Sequence, residues 1–208
     1  QLLFGELLSL IKQEKSWVKI KCLYDDYEGW IDEKQYRPLK PEKAGKLLEA
    51  QPSVALELVQ SAVGAQRHVP IVIGSNLFEY DGMNFRLGKE KFVYHGQAIK
   101  TLSVTDQERL VEKCALKYLG SPYLWGGRSP FGIDCSGFVQ VVFKLLGVKL
   151  PRDAWQQAEI GKTVDFANMA TQGDLAYFDN AEGRITHVGI VLHGNRIIHA
   201  HGEVRIDK

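Results

Sequence analysis

Cys135 is the residue of this chain best placed for nucleophilic chemistry. It follows a glycine-rich loop, Trp125-Gly126-Gly127 through Gly132-Ile133-Asp134, and opens an apolar run that Gly147 ends, so Asp134 reads as the N-cap of a helix over 134–146. A sulfur at that position faces unpaired N–H groups and the positive end of the helix dipole. With a protonated histidine close by, such a site lowers a thiol pKa from about 8.5 into roughly the 3.5 to 7.5 range. Ser136 and Gly137 are small, which leaves a substrate carbonyl room to approach the backbone. On residue types alone a second reading stays open, in which Asp134 only caps the helix and Cys135 is a small buried residue. The other two cysteines favour that plainer reading: Cys114 lies on the apolar stripe of a helix, and Cys22 lies in a Lys-Ile-Lys-Cys-Leu strand with no histidine near it in sequence.

A nucleophilic cysteine needs a base, and the base needs a group that orients it. The six histidines stand at 68, 95, 187, 193, 199 and 201, and four of them crowd the last 22 residues. His68 and His95 fall in β-rich segments and read as surface or core residues. The other four lie on strand-like segments downstream of the cysteine, where a helix-then-sheet domain has to supply its base.

The elements that must position these groups follow from pattern. Thr105-Asp106-Gln107-Glu108 is a capping box, Leu110, Val111, Cys114, Ala115, Tyr118 and Leu119 recur at helical spacing, and Gly120 suits a left-handed helix end. Residues 174–178, 186–193 and 196–200 read as strands. Together these give an α+β domain over 101–208. Upstream, residues 1–40 alternate apolar and polar positions with period two between charged turns, as in a small β-barrel. Residues 41–66, with Leu47, Leu48, Val54, Leu58, Val59 and Val63 interrupted at Pro52, read as a helical connector, and 67–100 as a second β-module with turns at Gly74-Ser75, Asp81-Gly82 and Leu87-Gly88.

Composition removes several function classes. The 208 residues carry 26 Lys+Arg against 25 Asp+Glu, a formal net charge of +1, so no bulk field draws nucleic acid or an anionic membrane. At 45% hydrophobic and 25% charged residues the chain is neither disordered nor fibrous. No apolar run is long enough to span a bilayer. Three cysteines build no disulfide framework and no metal knuckle. The chain begins at Gln1 without a methionine and stops at Lys208, and both ends read as trimmed.

Several of these residues fall into strings that resemble a known family. Tyr123-Leu124-Trp125-Gly126-Gly127, then Gly132, Asp134-Cys135-Ser136-Gly137-Phe138, Gly173-Asp174-Leu175, His187-Val188-Gly189-Ile190 and Ile198-His199-Ala200 are similar to the NlpC-type cell-wall cysteine peptidases, over roughly 101–208. The segments Gln1-Leu2-Leu3-Phe4-Gly5-Glu6, Trp17-Val18-Lys19 and Gly29-Trp30-Ile31 resemble the bacterial SH3-like modules attached to such enzymes, with the first module incomplete at its N-terminal side. The resemblance implies a papain-like catalytic domain, helices on an antiparallel sheet, behind SH3-like β-barrel modules. It implies Cys135 as nucleophile, His187 as general base and His199 as the polar residue that orients it.

The combination narrows the resemblance to the YkfC-like γ-D-glutamyl-L-diamino acid endopeptidases, or dipeptidyl-peptidase VI, which release L-Ala-γ-D-Glu from stem peptides with a free N-terminal alanine. In that subgroup the residues matching Tyr123, Asp134, Ser136, Arg152 and Asp153 shape the acyl-side pocket. A carboxylate such as Asp153 suits the ligand's ammonium group. Where the subgroup often has serine next, this chain has Ala154. The implied partners are peptidoglycan-derived peptides, not nucleic acid or membrane, and the chemistry calls for no metal or cofactor. The implied setting is the bacterial cell envelope, with the cytoplasm as the alternative for a recycling enzyme. Two other readings remain: a related amidase or endopeptidase acting on polymeric peptidoglycan, and a wall-binding protein with an inactive catalytic domain.

The strand pattern tests the histidine pairing. A strict two-residue turn at Gly194-Asn195 sends His187 and His199 to opposite faces of the sheet. A three-residue connection, His193 to Asn195, sets His199 opposite Gly189 and diagonal to His187 on one face, with His201 directly opposite His187 as the rival orienter. The expectation is an odd loop or a bulge there.

Overall fold

The computed structural model describes residues 1–101 and 107–208, and the capping box that reaches back to Thr105 and Asp106 lies outside the described residues. The chain divides into two compact units, one of residues 2–100 and one of 101–208 together with Gln1.

The first unit is nearly all β. Strands β1 (Leu8–Glu14), β2 (Trp17–Cys22) and β3 (Glu28–Asp32) form an antiparallel meander in sequence order. Val18, Ile20 and Ile31 are its buried inner positions, and the charged residues between them face out as the period-two pattern requires. A short helix α1 (Pro41–Glu49) follows, with proline at its first turn, where a missing N–H costs nothing.

The helical connector expected over 41–66 stops at Glu49. Ser53–Ala55 is strand β4 and Val59–Gly64 is strand β5. Two physical reasons decide this. Pro52 blocks helix propagation, and β5 sits between β6 (His68–Val72) and β9 (Glu90–Tyr94), where cross-strand packing outweighs the helix propensity of its alanine. The second β-module therefore begins near Ser53 rather than at 67. It comprises a sheet in the order β6-β5-β9-β8 and a smaller one in the order β10-β4-β7, with β7 at Asn76–Leu77, β8 at Asn84–Leu87 and β10 at Ala98–Ile99. Its core is Ala55, Ala62, Ile71, Leu77, Phe85, Phe92 and Tyr94, with Phe85 stacked on Phe92 at 5.2 Å.

The second unit is α+β. Helix α2 (Gln107–Leu116) leads to a turn that ends at Gly120, whose φ of +77° is the left-handed conformation expected of it. A small hairpin, β11 (Arg128–Ser129) and β12 (Gly132–Ile133), precedes α3 (Cys135–Leu145), and α4 (Ala154–Ala158) follows. A four-stranded antiparallel sheet closes the unit: β13 (Leu175–Asp179), β14 (Ile185–Leu192), β15 (Arg196–His201) and β16 (Glu203–Asp207), in sequence order. Helix α3 packs on β14 and β15. All but one of its residues are buried, which is why its sequence is apolar almost all round. Val188, Ile190, Ile198, Ala200 and Val204 are the sheet's buried positions.

Candidate active site

Asp134 ties the start of α3 together. Its Oδ1 accepts from the Gly137 N–H at 2.7 Å, the N-cap bond that satisfies one orphan donor of the helix, and its Oδ2 accepts from the Gly126 N–H at 2.7 Å. Arg152 grips the same carboxylate with both guanidinium arms, at 3.0 Å to Oδ1 and 2.5 Å to Oδ2, and donates to Ser136 Oγ at 3.0 Å. Asp134, Ser136 and Arg152 are each 6% exposed, so this is a buried bidentate ion pair with its hydrogen-bonding capacity filled. It joins the glycine loop, the start of α3 and the segment before α4. Gly137 is required here: a Cβ would meet the Gly127 carbonyl oxygen at 2.4 Å.

Cys135 occupies the first turn of α3 and is 7% exposed. Its thiol pKa is pushed up from the ordinary value, first by burial and then by the Asp134 carboxylate; the backbone N–H groups of Val188, Ser136 and Cys135 pull the other way. A lowered thiol pKa was expected from the helix dipole and a protonated histidine, but His187 rests neutral beside it. At this site desolvation and the capping carboxylate exceed the dipole. The Val188 N–H reaching the sulfur also places Cys135 beside β14, where Val188 is next in chain to His187.

The connection between β14 and β15 is the three-residue one. Ile190 faces Ile198, Val191 faces Ile197 and Leu192 faces Arg196, leaving His193, Gly194 and Asn195 as the loop, the last two with φ of +75° and +55°. His187 and His199 consequently share a face, and His187 Nε2 lies 2.7 Å from His199 Nδ1. Gly189 makes the space: a Cβ on it would stand 3.0 Å from His199 Cβ. His201 stacks on His199, ring centres 6.1 Å apart at 4°, and meets His187 only edge-on at 6.1 Å. It is therefore not the histidine bonded to His187. Burial first, then the neighbouring His199 and His201, lower the His187 pKa from 6.5 to about 4. His187 is thus a neutral imidazole at neutral pH, with Nε2 engaged and Nδ1 as its remaining ring nitrogen.

Tyr123 is half-buried, and its phenol pKa is raised by burial first and then by the Cys135 and Asp134 charges, so the hydroxyl stays a donor near the sulfur. Its N–H is fixed to the Gly202 carbonyl at 2.8 Å. Asp153 stands apart from the Asp134–Arg152 cluster, half-buried at the N-cap of α4, where its N–H donates to Gln156 Oε1 at 3.2 Å.

One residue of the constellation was missed in the sequence. His199 Nε2 lies 3.0 Å from Asp207 Oδ2, and Arg205 holds Asp207 Oδ1 through Nε at 3.0 Å and Nη2 at 2.7 Å. The signal was available: Glu203-Val204-Arg205-Ile206-Asp207 alternates polar and apolar without a break, as an edge strand should. In β16, Arg205 lies opposite His199, which puts Asp207 within reach of its ring.

Comparison with known proteins agrees with this architecture. Residues 120–208 match the NlpC/P60 family, and residues 1–35 match the bacterial dipeptidyl-peptidase Sh3 domain. A γ-D-glutamyl-L-lysine dipeptidyl-peptidase of Bacillus subtilis (strain 168) is 31% identical over 96% of this chain and 71% of its own length. The murein DD-endopeptidase MepS/murein LD-carboxypeptidase of Escherichia coli (strain K12) is 41% identical over 47% of this chain and 51% of its own length. The crystal structure of an NlpC/P60 family protein from Bacillus cereus ATCC 10987 superposes with a TM-score of 0.83 at 25% identity, over 99% of this chain and 75% of that one. The papain-like unit that follows an SH3 domain, and the likeness over 96% of this chain to a γ-D-glutamyl-L-lysine dipeptidyl-peptidase, lead to one conclusion: the chain belongs to the NlpC/P60 family of cell-wall peptidases.

Proposed function

We propose that the chain is a cysteine endopeptidase that cuts the bond between γ-D-glutamate and an L-diamino acid in peptidoglycan stem peptides whose N-terminal L-alanine is free. The observation that carries the catalytic half is the pairing of His187 Nε2 with His199 Nδ1 at 2.7 Å, on the strand whose Val188 N–H reaches the Cys135 sulfur. The substrate half draws on the B. subtilis relative, named a γ-D-glutamyl-L-lysine dipeptidyl-peptidase.

The steps follow from the protonation states. Thiol and imidazole both rest neutral, so His187 Nδ1 takes the Cys135 proton as Sγ attacks the γ-glutamyl carbonyl carbon. The Cys135 N–H at the helix start and the Tyr123 hydroxyl hold the oxyanion; losing one such donor costs about 3 to 4 kcal/mol of transition-state stabilisation. The carbon–nitrogen bond breaks, the imidazolium protonates the departing amine, and His187 then activates a water that hydrolyses the thioester. Asp134, Ser136 and Arg152 brace the acyl side, and Asp153 takes the substrate's ammonium group.

The test is incubation with L-Ala-γ-D-Glu-L-Lys, its diaminopimelate analogue and an N-acetylated copy, for the native chain and Cys135→Ala. Cleavage of the free-amine peptides alone, abolished by the substitution, is the expected result. Equal cleavage of the blocked peptide removes the amine pocket. A second reading, polymeric peptidoglycan as substrate, is favoured by the 41% identity to the E. coli murein endopeptidase; release of peptide from intact sacculi in preference to the tripeptide selects it.

A further inference from the structure

His199 is bonded at both ring nitrogens, and its second partner has no role in the reaction above. Nδ1 faces His187 Nε2 at 2.7 Å, while Nε2 faces Asp207 Oδ2 at 3.0 Å. The proton positions along this row follow from what each group can do. An ionised carboxylate accepts only, so the His199 nitrogen beside Asp207 carries the hydrogen. Neutral imidazole holds one N–H, so His199 Nδ1 is then a lone pair and must accept from His187. His187 therefore carries its hydrogen on Nε2 and keeps its lone pair on Nδ1, the nitrogen needed as base.

We infer that Asp207 is a positioning residue for catalysis: by holding the hydrogen of His199 on Nε2 it sets the tautomer of His187 two residues along the row, and so decides whether the base presents a lone pair or an N–H to Cys135. This inference rests on the catalytic reading of Cys135 and His187 given above.

Two features of the surroundings fit that role. Without Asp207, His199 is free to turn its hydrogen to Nδ1 and donate to His187, which throws the His187 hydrogen onto Nδ1 and blocks proton transfer. Arg205 grips the other oxygen of Asp207 at 3.0 and 2.7 Å, which fixes the carboxylate and offsets part of its charge. The row Arg205, Asp207, His199, His187 thus runs from a surface strand to the nucleophile, with one proton arrangement that works.

The experiment compares the native chain with Asp207→Ala and Asp207→Asn, reading histidine tautomers by long-range ¹H–¹⁵N NMR and cleavage kinetics with the tripeptide. In the native protein both His187 and His199 are expected as Nε2–H tautomers. Asp207→Ala should shift both toward mixed tautomers and lower kcat roughly 10- to 1,000-fold with KM within about 2-fold, short of the ~10⁴-fold loss known when a catalytic histidine is locked in the wrong tautomer. Asp207→Asn still offers an amide oxygen to His199 Nε2–H and should recover at least about a tenth of native kcat. Native-like tautomers in Asp207→Ala, or a kcat within about 2-fold of native, overturn the inference. So does a loss of activity in which both variants are equally unfolded by circular dichroism. If the tripeptide is not a substrate at all, the tautomer spectra still decide the role of Asp207, while the substrate reading alone falls.

Discussion

At Cys135 and His187 the resting groups are a thiol and a neutral imidazole, since burial raises one pKa and lowers the other. A stability consequence follows. The unfolded chain protonates His187 as pH falls through about 6.5, whereas the folded chain resists until about 4. Stability from this group is present above 6.5 and is lost as pH drops across that window. Urea midpoints at pH 7 and pH 5 should therefore differ less in His187→Asn than in the native protein; an equal drop in both removes His187 as the cause. A second expectation concerns Asp134, which holds two backbone N–H groups and Arg152 in a buried site. Asp134→Ala strands the guanidinium and should cost about 3 to 5 kcal/mol, read as a fall in unfolding free energy. That Cys135 opens a helix and that His187 and His199 share a face was legible, from the flanking strings and the strand parity. The direction of the thiol's shift was not, because the helix dipole can be read from a capping pattern while burial and the distance to Asp134 cannot.

At the scale of elements, the three-residue loop at 193–195 decides whether the histidines meet. Deleting Gly194 leaves a two-residue turn, and the expected result is that β15 slips by one residue, His199 moves to the opposite face and activity falls to background with the α+β circular dichroism retained. Gly189→Ala is a gentler version. Its Cβ, 3.0 Å from His199 Cβ, should push that ring off His187 and lower kcat about 10-fold without unfolding the sheet, measured with the same peptide assay. Parity arithmetic made this hairpin readable in advance. The same attention to alternation at 203–207 yields β16 and with it Asp207. Residues 53–64 were harder: Val54, Leu58, Val59 and Val63 fit helical spacing as well as strand alternation, and most of the partners that settle the matter, β7, β9 and β10, lie distant in sequence.

At the scale of the molecule, two units carry separate cores, and cooperativity should divide the same way. Phe92 is fully buried and stacked on Phe85 in the first unit; Phe92→Ala should cost that unit about 3 to 5 kcal/mol. Calorimetry should show one transition moving down and the other staying put, and a joint shift would mean the units unfold as one. The boundary near 100 was legible because composition and periodicity change there together. The three thiols, at 22, 114 and 135, are all buried. Peroxide and alkylating reagents attack the thiolate, and only where they can reach it. Burial and the Asp134 carboxylate keep Cys135 in the protonated form, so its thiol should survive oxidising surroundings for long periods without a reductant to restore it.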